Sequence, residues 1–173
     1  MKKTTSFLLA CALASLTLAE DAAKKAAPAG SNPTAPMISV SAATLTAPLV
    51  LKDGAISQPE QTELPAGGKA VLEFTVPKAG TYVIHAVVNA PAEDANSFYL
   101  NIDAPPEDPV MIWDIDVTNG FEERVVSWRG KGDADNDEFK PKRFTLTAGA
   151  HKLFIVGREP AFLKSVSIRL VAN

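Results

Sequence analysis

Short apolar or alternating runs, separated by Gly, Pro, Asn and Asp, fill the sequence from Ile38 onwards. Runs of this kind, repeated every ~8 to 15 residues, are typical of antiparallel strands in two packed sheets. No segment shows a convincing helical period. The pattern predicts an all-β chain that folds as a single β-sandwich. The predicted strands are 38–46, 48–51, 69–76, 81–89, 97–103, 110–117, 124–128, 143–147, 151–157 and 163–171.

Alternation within the runs predicts which side chains are buried. One run alternates Phe98, Leu100 and Ile102 with Tyr99 and Asn101. Because successive side chains of a strand point to opposite faces, we expect the first three to be buried and the last two to be exposed.

Three other segments carry topological information. The run 81–89 is apolar on both sides, which predicts a central strand covered on both faces. The run 163–171 alternates apolar with polar residues, which predicts a sheet edge or an outer face in solvent. Glycine-containing turns at 77–80 and 147–150 are predicted to link hairpins.

The N-terminal segment has the features of a secretory signal. Lys2 and Lys3 precede the apolar run 7–19, which is too short to span a membrane. We expect a signal peptide over 1–19, cleavage near Ala19, and a periplasmic or extracellular product. A lipoprotein modified at Cys11 is the alternative, which is disfavoured because apolar sequence continues beyond that cysteine.

The remainder divides into a spacer and a domain. Residues 20–37 are rich in Ala, Pro and Lys with little to bury, so they are predicted to be a flexible linker before a domain at 38–173. After cleavage the chain has no cysteine, which excludes thiol catalysis and cysteine-based zinc sites. The 17 Lys and Arg against 20 Asp and Glu give a net charge of -3, so no nucleic-acid surface is expected.

Several strings, in their order, resemble the jelly-roll modules related to carbohydrate-binding families 6 and 35 of the galactose-binding-like superfamily. They are VPKAGTY at 76–82, NSFYLNID at 96–103, IWDI at 112–115, FTLTAGAHKL at 144–153 and GRE at 157–159. The resemblance implies a jelly roll that binds sugars through aromatic and amide side chains, in loops at one end of the sandwich or on a sheet face. The acidic residues that hold a structural calcium in such modules are missing at the matching positions here.

Four residues are candidates for direct sugar contact. An indole is a flat apolar platform for a sugar ring, and Trp128 lies next to a glycine-rich loop where it either stacks on a ligand or caps the core. Asn96, Tyr99 and Asn101 can hydrogen-bond sugar hydroxyls, or merely form a turn and a solvated face. The other tryptophan, Trp113, shares its strand side with apolar residues and is predicted to lie in the core.

Arg158 and Glu159 complete the candidate ligand-binding set. They follow a predicted strand immediately before a proline, where they either contact a ligand or form a clamp that braces the loop.

The sequence supports a metal site or an enzymatic activity less well than it supports sugar binding. The acidic loop 133–138 begins like a calcium loop but lacks the required glycine and the final glutamate, so no metal and no cofactor is predicted. His85 and His151 lie in no nucleophile motif. Asp114 and Asp116, two apart on one strand, are the best carboxylate pair for glycoside hydrolysis, but such pairs are common on solvated strands. The chain is therefore predicted not to be an enzyme.

Together these features predict an exported, non-catalytic module that binds an oligo- or polysaccharide. The alternative is a structural or protein-interaction sandwich that has lost the sugar site, because a fold does not fix a function. Which glycan is bound and which protein partners exist are left open by the sequence.

Overall fold

Twelve strands and one short 3-10 helix make up the part of the chain that the computed structural model describes, residues 37–131 and 139–171. The predicted signal peptide, nearly all of the predicted linker and the acidic loop 133–138 lie outside these residues. The strands are β1 (Ile38–Ser39), β2 (Thr44–Thr46), β3 (Val50–Lys52), β4 (Ala55–Ser57), β5 (Lys69–Val76), β6 (Gly80–Asn89), β7 (Ser97–Ile102), β8 (Ile112–Asp114), β9 (Glu122–Val125), β10 (Phe144–Leu146), β11 (Gly149–Gly157) and β12 (Phe162–Leu170), and the 3-10 helix is Val40–Ala42.

The strands form two antiparallel sheets, which confirms the predicted all-β sandwich. The larger sheet has the order β10-β6-β12-β4-β3, with β1 also paired to β12 and β9 also paired to β6. The smaller sheet has the order β2-β5-β11-β7-β8. Strand β6 is central, as predicted, but its outer face is only partly covered, because Val83, His85 and Val87 are half-buried. In the described part of the chain no helix is long and apolar enough to cross a membrane.

The core lies between the inner faces of the two sheets. Alternate residues of β5, β6 and β11 are buried there, including Leu72 on β5, Ile84 on β6 and Leu153 on β11. Trp113 is 1% exposed, which confirms its predicted place in the core.

The outer face of β7 differs from the prediction. Phe98, Leu100 and Ile102 are buried as expected, but the predicted exposure of Tyr99 and Asn101 is wrong, because they are 0% and 8% exposed.

A loop segment accounts for this difference. Strand β7 lies between β11 and β8, and Leu64, from the segment between β4 and β5, packs on the outer-face cluster of Tyr99, Ile112 and Val156. A side chain that points away from the core is therefore still removed from solvent.

Strand β12 is also more enclosed than its alternation predicts. It pairs with β6 on one side and with β4 and β1 on the other, so it is not a sheet edge. Ser167, on its outer side, is 0% exposed.

The two predicted hairpin links are wrong. The turn at 77–80 joins β5 to β6, and the turn at 147–150 joins β10 to β11, but each pair of strands belongs to different sheets. Both turns therefore carry the chain across the sandwich. A tight hairpin links β3 to β4 instead, where Asp53 and Gly54 both have positive φ, as a two-residue turn requires.

Gln58 anchors the segment that covers β7. Its buried amide donates to the Glu60 carbonyl oxygen and to Thr62 Oγ1, both at 2.9 Å, and accepts from the Gly68 N–H at 3.3 Å. The amide fits against Gly157 because that residue has no side chain: a Cβ there would lie 2.1 Å from Gln58 Oε1.

Candidate functional site

A cleft of about 310 Å³ opens at one end of the sandwich. The antiparallel register places Ser97 opposite Asp114 and Phe98 opposite Gly157, so the start of β7 meets the ends of β8 and β11 there. The loops that continue from these strands line the cleft. The lining residues in the described part of the chain are Glu93, Asn96, Asp114, Ile115, Asp116, Val117, Arg129, Phe139, Arg158 and Glu159.

Arg158 and Glu159 clamp the β11–β12 loop onto the start of β7. Arg158 Nη1 donates to Ser97 Oγ at 2.8 Å and forms a close ion pair with Glu159 Oε1. Glu159, 5% exposed, accepts from the Asn96 N–H at 3.2 Å. The loop-bracing role that the sequence left open is therefore present.

Arg129 and Asp114 form a second brace. The guanidinium donates to both carboxylate oxygens of Asp114 at 2.7 Å, in the bidentate geometry that orders both groups. The backbone N–H of Arg129 donates to the Ile112 carbonyl oxygen at 2.7 Å, which fixes the loop against β8.

Other groups that line the cleft are exposed or free to contact a ligand. Phe139 is 56% exposed and Val117 is 45% exposed, so an aromatic ring and an aliphatic side chain are presented to solvent. The backbone groups of Asn96 help to hold the cleft together. Its N–H donates to the Glu159 carboxylate, and its carbonyl oxygen accepts from the Ile115 N–H at 2.9 Å. Its side-chain amide makes no hydrogen bond within the described residues, so it is available to a ligand.

The structure brings together three of the six predicted ligand-binding residues, Asn96, Arg158 and Glu159, and separates the other three from the cleft. Asn101 is buried, and its Oδ1 accepts from the Ile102 N–H at 2.8 Å.

Tyr99 lies under the loop segment described above. Its hydroxyl has no hydrogen-bond partner among the described residues. Burial raises the pKa of this phenol, against the opposing effect of the nearby Arg158 cation.

Trp128 is a partly buried core-capping residue. Its Nε1–H donates to the Leu100 carbonyl oxygen at 2.9 Å, and its ring meets Phe144 edge to face, with 5.8 Å between centroids. Lys142 Nζ lies 3.7 Å from the centre of the indole, and burial lowers the pKa of that amine. Of the two roles that the sequence allowed, these contacts support the structural one.

Sequence reasoning missed Phe139, Arg129 and Glu93 as cleft residues, and considered Asp114 and Asp116 only as a hydrolytic pair. Phe139 stands alone among charged residues, with no alternating apolar neighbours, and that isolation is the signal of an aromatic group outside the core. Asp114 ends β8 while Asp116 lies in the following loop, so the two do not share a strand as predicted.

The described residues contain no group of three or more His, Asp or Glu side chains placed to hold a metal ion. The acidic loop 133–138 lies outside them.

Comparison with known structures identifies the fold. No family model matches the sequence, and no curated protein matches it either. Solved structures do match. The C-terminal family 6 carbohydrate-binding module of the laminarinase LamC from Zobellia galactanivorans has a TM-score of 0.54 and 12% identity, over 78% of this chain and 98% of that one. The family 35 module of Paenibacillus barcinonensis has a TM-score of 0.54 and 11% identity, over 80% of this chain and 99% of that one.

This chain has their jelly-roll fold. A mannan-binding module of Man5C matches in the same way, with a TM-score of 0.51, 17% identity and 79% of this chain covered. The β-(1,4)-mannanase of Podospora anserina also matches, with a TM-score of 0.52 and 10% identity over 81% of this chain, but the match covers 28% of that enzyme. The matches thus cover nearly the whole length of the isolated modules but only part of the enzyme.

Proposed function

We propose that this protein is an exported, non-catalytic carbohydrate-binding module, and that its binding site is the cleft at the end of the sandwich. The observation that carries the proposal is the exposed ring of Phe139 beside a rigidly braced set of polar groups. Sugars offer apolar C–H faces and many hydroxyls, so a site for them combines an aromatic surface with fixed hydrogen-bonding groups.

The braces support this role because they hold the cleft walls before any ligand arrives. The Arg158–Glu159 and Arg129–Asp114 pairs each link a loop to a strand end. A ligand that enters a preformed site does not have to order the loops, which lowers the entropic cost of binding.

Affinity for one or two sugar rings is expected to be weak. A single phenyl ring and a few solvent-competed hydrogen bonds leave a binding free energy of about -4 to -6 kcal/mol, which corresponds to millimolar to tens of micromolar Kd. Affinity electrophoresis detects binding in this range. The first panel takes mannan and laminarin from the names of the similar structures and adds chitosan.

The test uses Phe139→Ala, with Phe121→Ala as its matched control. Phe121 is also exposed, at 46%, but contacts Lys164 and does not line the cleft. Phe139→Ala is expected to weaken binding at least about tenfold with little change in Tm, while Phe121→Ala binds like the wild type. If both variants bind equally well, the site is elsewhere. If no polysaccharide retards the wild type, the protein-interaction alternative is the better one.

A further inference from the structure

The charges in the cleft are unevenly distributed. Among the lining residues that the structure describes there are four carboxylates, Glu93, Asp114, Asp116 and Glu159, and two cations, Arg129 and Arg158. Each arginine is already bound to a carboxylate, in the Arg129–Asp114 and Arg158–Glu159 pairs.

The two remaining carboxylates lie at the opening. Glu93 and Asp116 are exposed, and neither has an ion-pair partner within 37–131 or 139–171. The described lining therefore has a net negative charge, concentrated on two groups that a ligand can reach.

This arrangement opposes an acidic sugar. A carboxylate on the ligand would need a guanidinium, and recruiting Arg158 or Arg129 would leave Glu159 or Asp114 without its partner. Glu159 is 5% exposed and the side chain of Asp114 is 15% exposed, so both would be largely buried, uncompensated charges. Breaking such pairs from one side is strongly unfavourable.

An ammonium group on the ligand meets the opposite situation. It can approach Glu93 and Asp116 without displacing any existing partner, while the sugar ring rests on Phe139. A charge-assisted hydrogen bond from the ammonium then adds to the binding that a neutral sugar obtains.

We propose that the cleft selects glycans that carry free amino groups, that is, unsubstituted hexosamine units, over neutral glycans of the same backbone, and that it excludes uronic-acid glycans. This inference rests on the proposed function and adds the class of sugar. The preference is modest, because the two carboxylates are exposed and screened.

The experiment is isothermal titration calorimetry with four β-1,4-linked tetrasaccharides: the glucosamine tetramer, its N-acetylated form, cellotetraose and a glucuronic-acid tetramer. At about pH 5.5 and low salt, amines are protonated and carboxylates are ionised. The glucosamine tetramer is expected to bind about three- to tenfold more tightly than cellotetraose or the N-acetylated form, and the glucuronic-acid tetramer is expected not to bind. At about pH 9 the preference should largely disappear while cellotetraose binding is unchanged.

Three variants localise the effect. Asp116→Asn and Glu93→Gln should each lower the ratio of the affinity for the glucosamine tetramer to the affinity for cellotetraose. Glu73→Gln makes the same change of net charge on an exposed side chain outside the cleft and should change neither.

The outcomes separate this inference from the proposed function. Equal affinity for the amino and neutral tetramers, or tighter binding of the uronic acid, overturns the selectivity and leaves the sugar site intact. Binding of tetralysine as tight as that of the glucosamine tetramer also overturns it, since the cleft would then be a nonspecific cation surface. If no tetrasaccharide binds, the proposed function fails as well.

Discussion

The pairing of His151 with Asp103 predicts a loss of stability above neutral pH. His151 Nδ1 lies 2.6 Å from Asp103 Oδ2, and Nε2 lies 2.9 Å from the Thr147 carbonyl oxygen. Both neighbours are acceptors, so the ring satisfies both contacts only when it carries both protons. The hydrogen bond with Asp103, and then the one with Thr147, raise the pKa of His151.

The direction of the pH effect follows from this shift. A raised pKa in the folded state means that the stabilisation is fully present below about pH 6.5, the usual histidine value, and is lost as pH rises through the folded-state pKa. Asp103 acts on the acid side. Burial raises the pKa of Asp103, but the hydrogen bonds from the Lys152 amide and the His151 ring outweigh burial and lower it. The stabilisation of the fold by Asp103 is therefore present above about pH 3.9 and is lost as pH falls through the lowered pKa.

The expected size of the alkaline loss is about 1 kcal/mol. A hydrogen bond to a charged group contributes about 1.5–3 kcal/mol. The side chain of His151 is 7% exposed but that of Asp103 is 50% exposed, and solvent screening reduces the value accordingly. Urea unfolding at a series of pH values between about 6 and 9 measures the loss, which corresponds to a fall in Tm of roughly 4 °C for a domain of this size.

Asp103→Asn is the decisive variant. An asparagine tolerates the positive φ of 61° at this position, and its Oδ1 can still accept from the Lys152 N–H, at 2.9 Å from Oδ1 in the wild type. Its amide donates to the neutral ring, which donates in turn to Thr147, so the stability of Asp103→Asn should be nearly flat from pH 6 to 9. His85→Gln, which changes the other histidine, should keep the wild-type slope. A wild-type slope in Asp103→Asn, or a flat wild-type profile, would refute the reasoning.

Three further predictions concern the core, the covering segment and metal dependence. In urea unfolding, Trp128→Ala should lower the free energy of unfolding by about 3 kcal/mol, and Trp128→Phe should lower it by about 1 kcal/mol because the hydrogen bond to Leu100 is lost. If Trp128→Ala leaves the free energy of unfolding unchanged, the indole is a surface ring. Gly157→Ala should destabilise the fold by at least about 1 kcal/mol because the new Cβ would clash with Gln58. Adding Gln58→Ala should restore part of the lost stability, and if the destabilisations of the two substitutions simply add, this contact is contradicted. Melting with a chelator and with added calcium should coincide, and a rise in Tm above roughly 5 °C with calcium would reveal a structural ion.

The strands that could be predicted are those whose burial has a period of two. Phe98, Leu100 and Ile102, and the long run that became β6, identify themselves because one or both faces must be apolar to fill the core. Strand β4 was missed because Ala55–Ser57 is too short to show alternation. Its signal was present all the same, since Asp53-Gly54 between two apolar runs is a strong local indication of a hairpin.

The connections could not be predicted from local sequence. The Gly80 and Gly149 turns look like hairpin turns, yet each transfers the chain between sheets. Which sheet a strand joins is decided by long-range pairing, such as β5 with β11, whose residues lie more than 70 positions apart. The burial of Tyr99 has the same origin, because the Leu64 segment that covers it comes from another part of the chain.

The candidate site divides into a part that resembles known modules and a part that does not. Arg158 and Glu159 fall in a string that resembles the carbohydrate-binding modules, and in the structure they brace the start of β7. The sequence pattern at these two residues therefore reflects their structural role. Phe139 and Asp116 lie on loops that no strand pattern constrains, and both side chains are exposed. Substitutions on these loops can therefore change which ligand binds without unfolding the sandwich. Because the ligand-facing groups are not needed for the fold, the strand pattern predicts the fold but not those groups, which only the three-dimensional structure identifies.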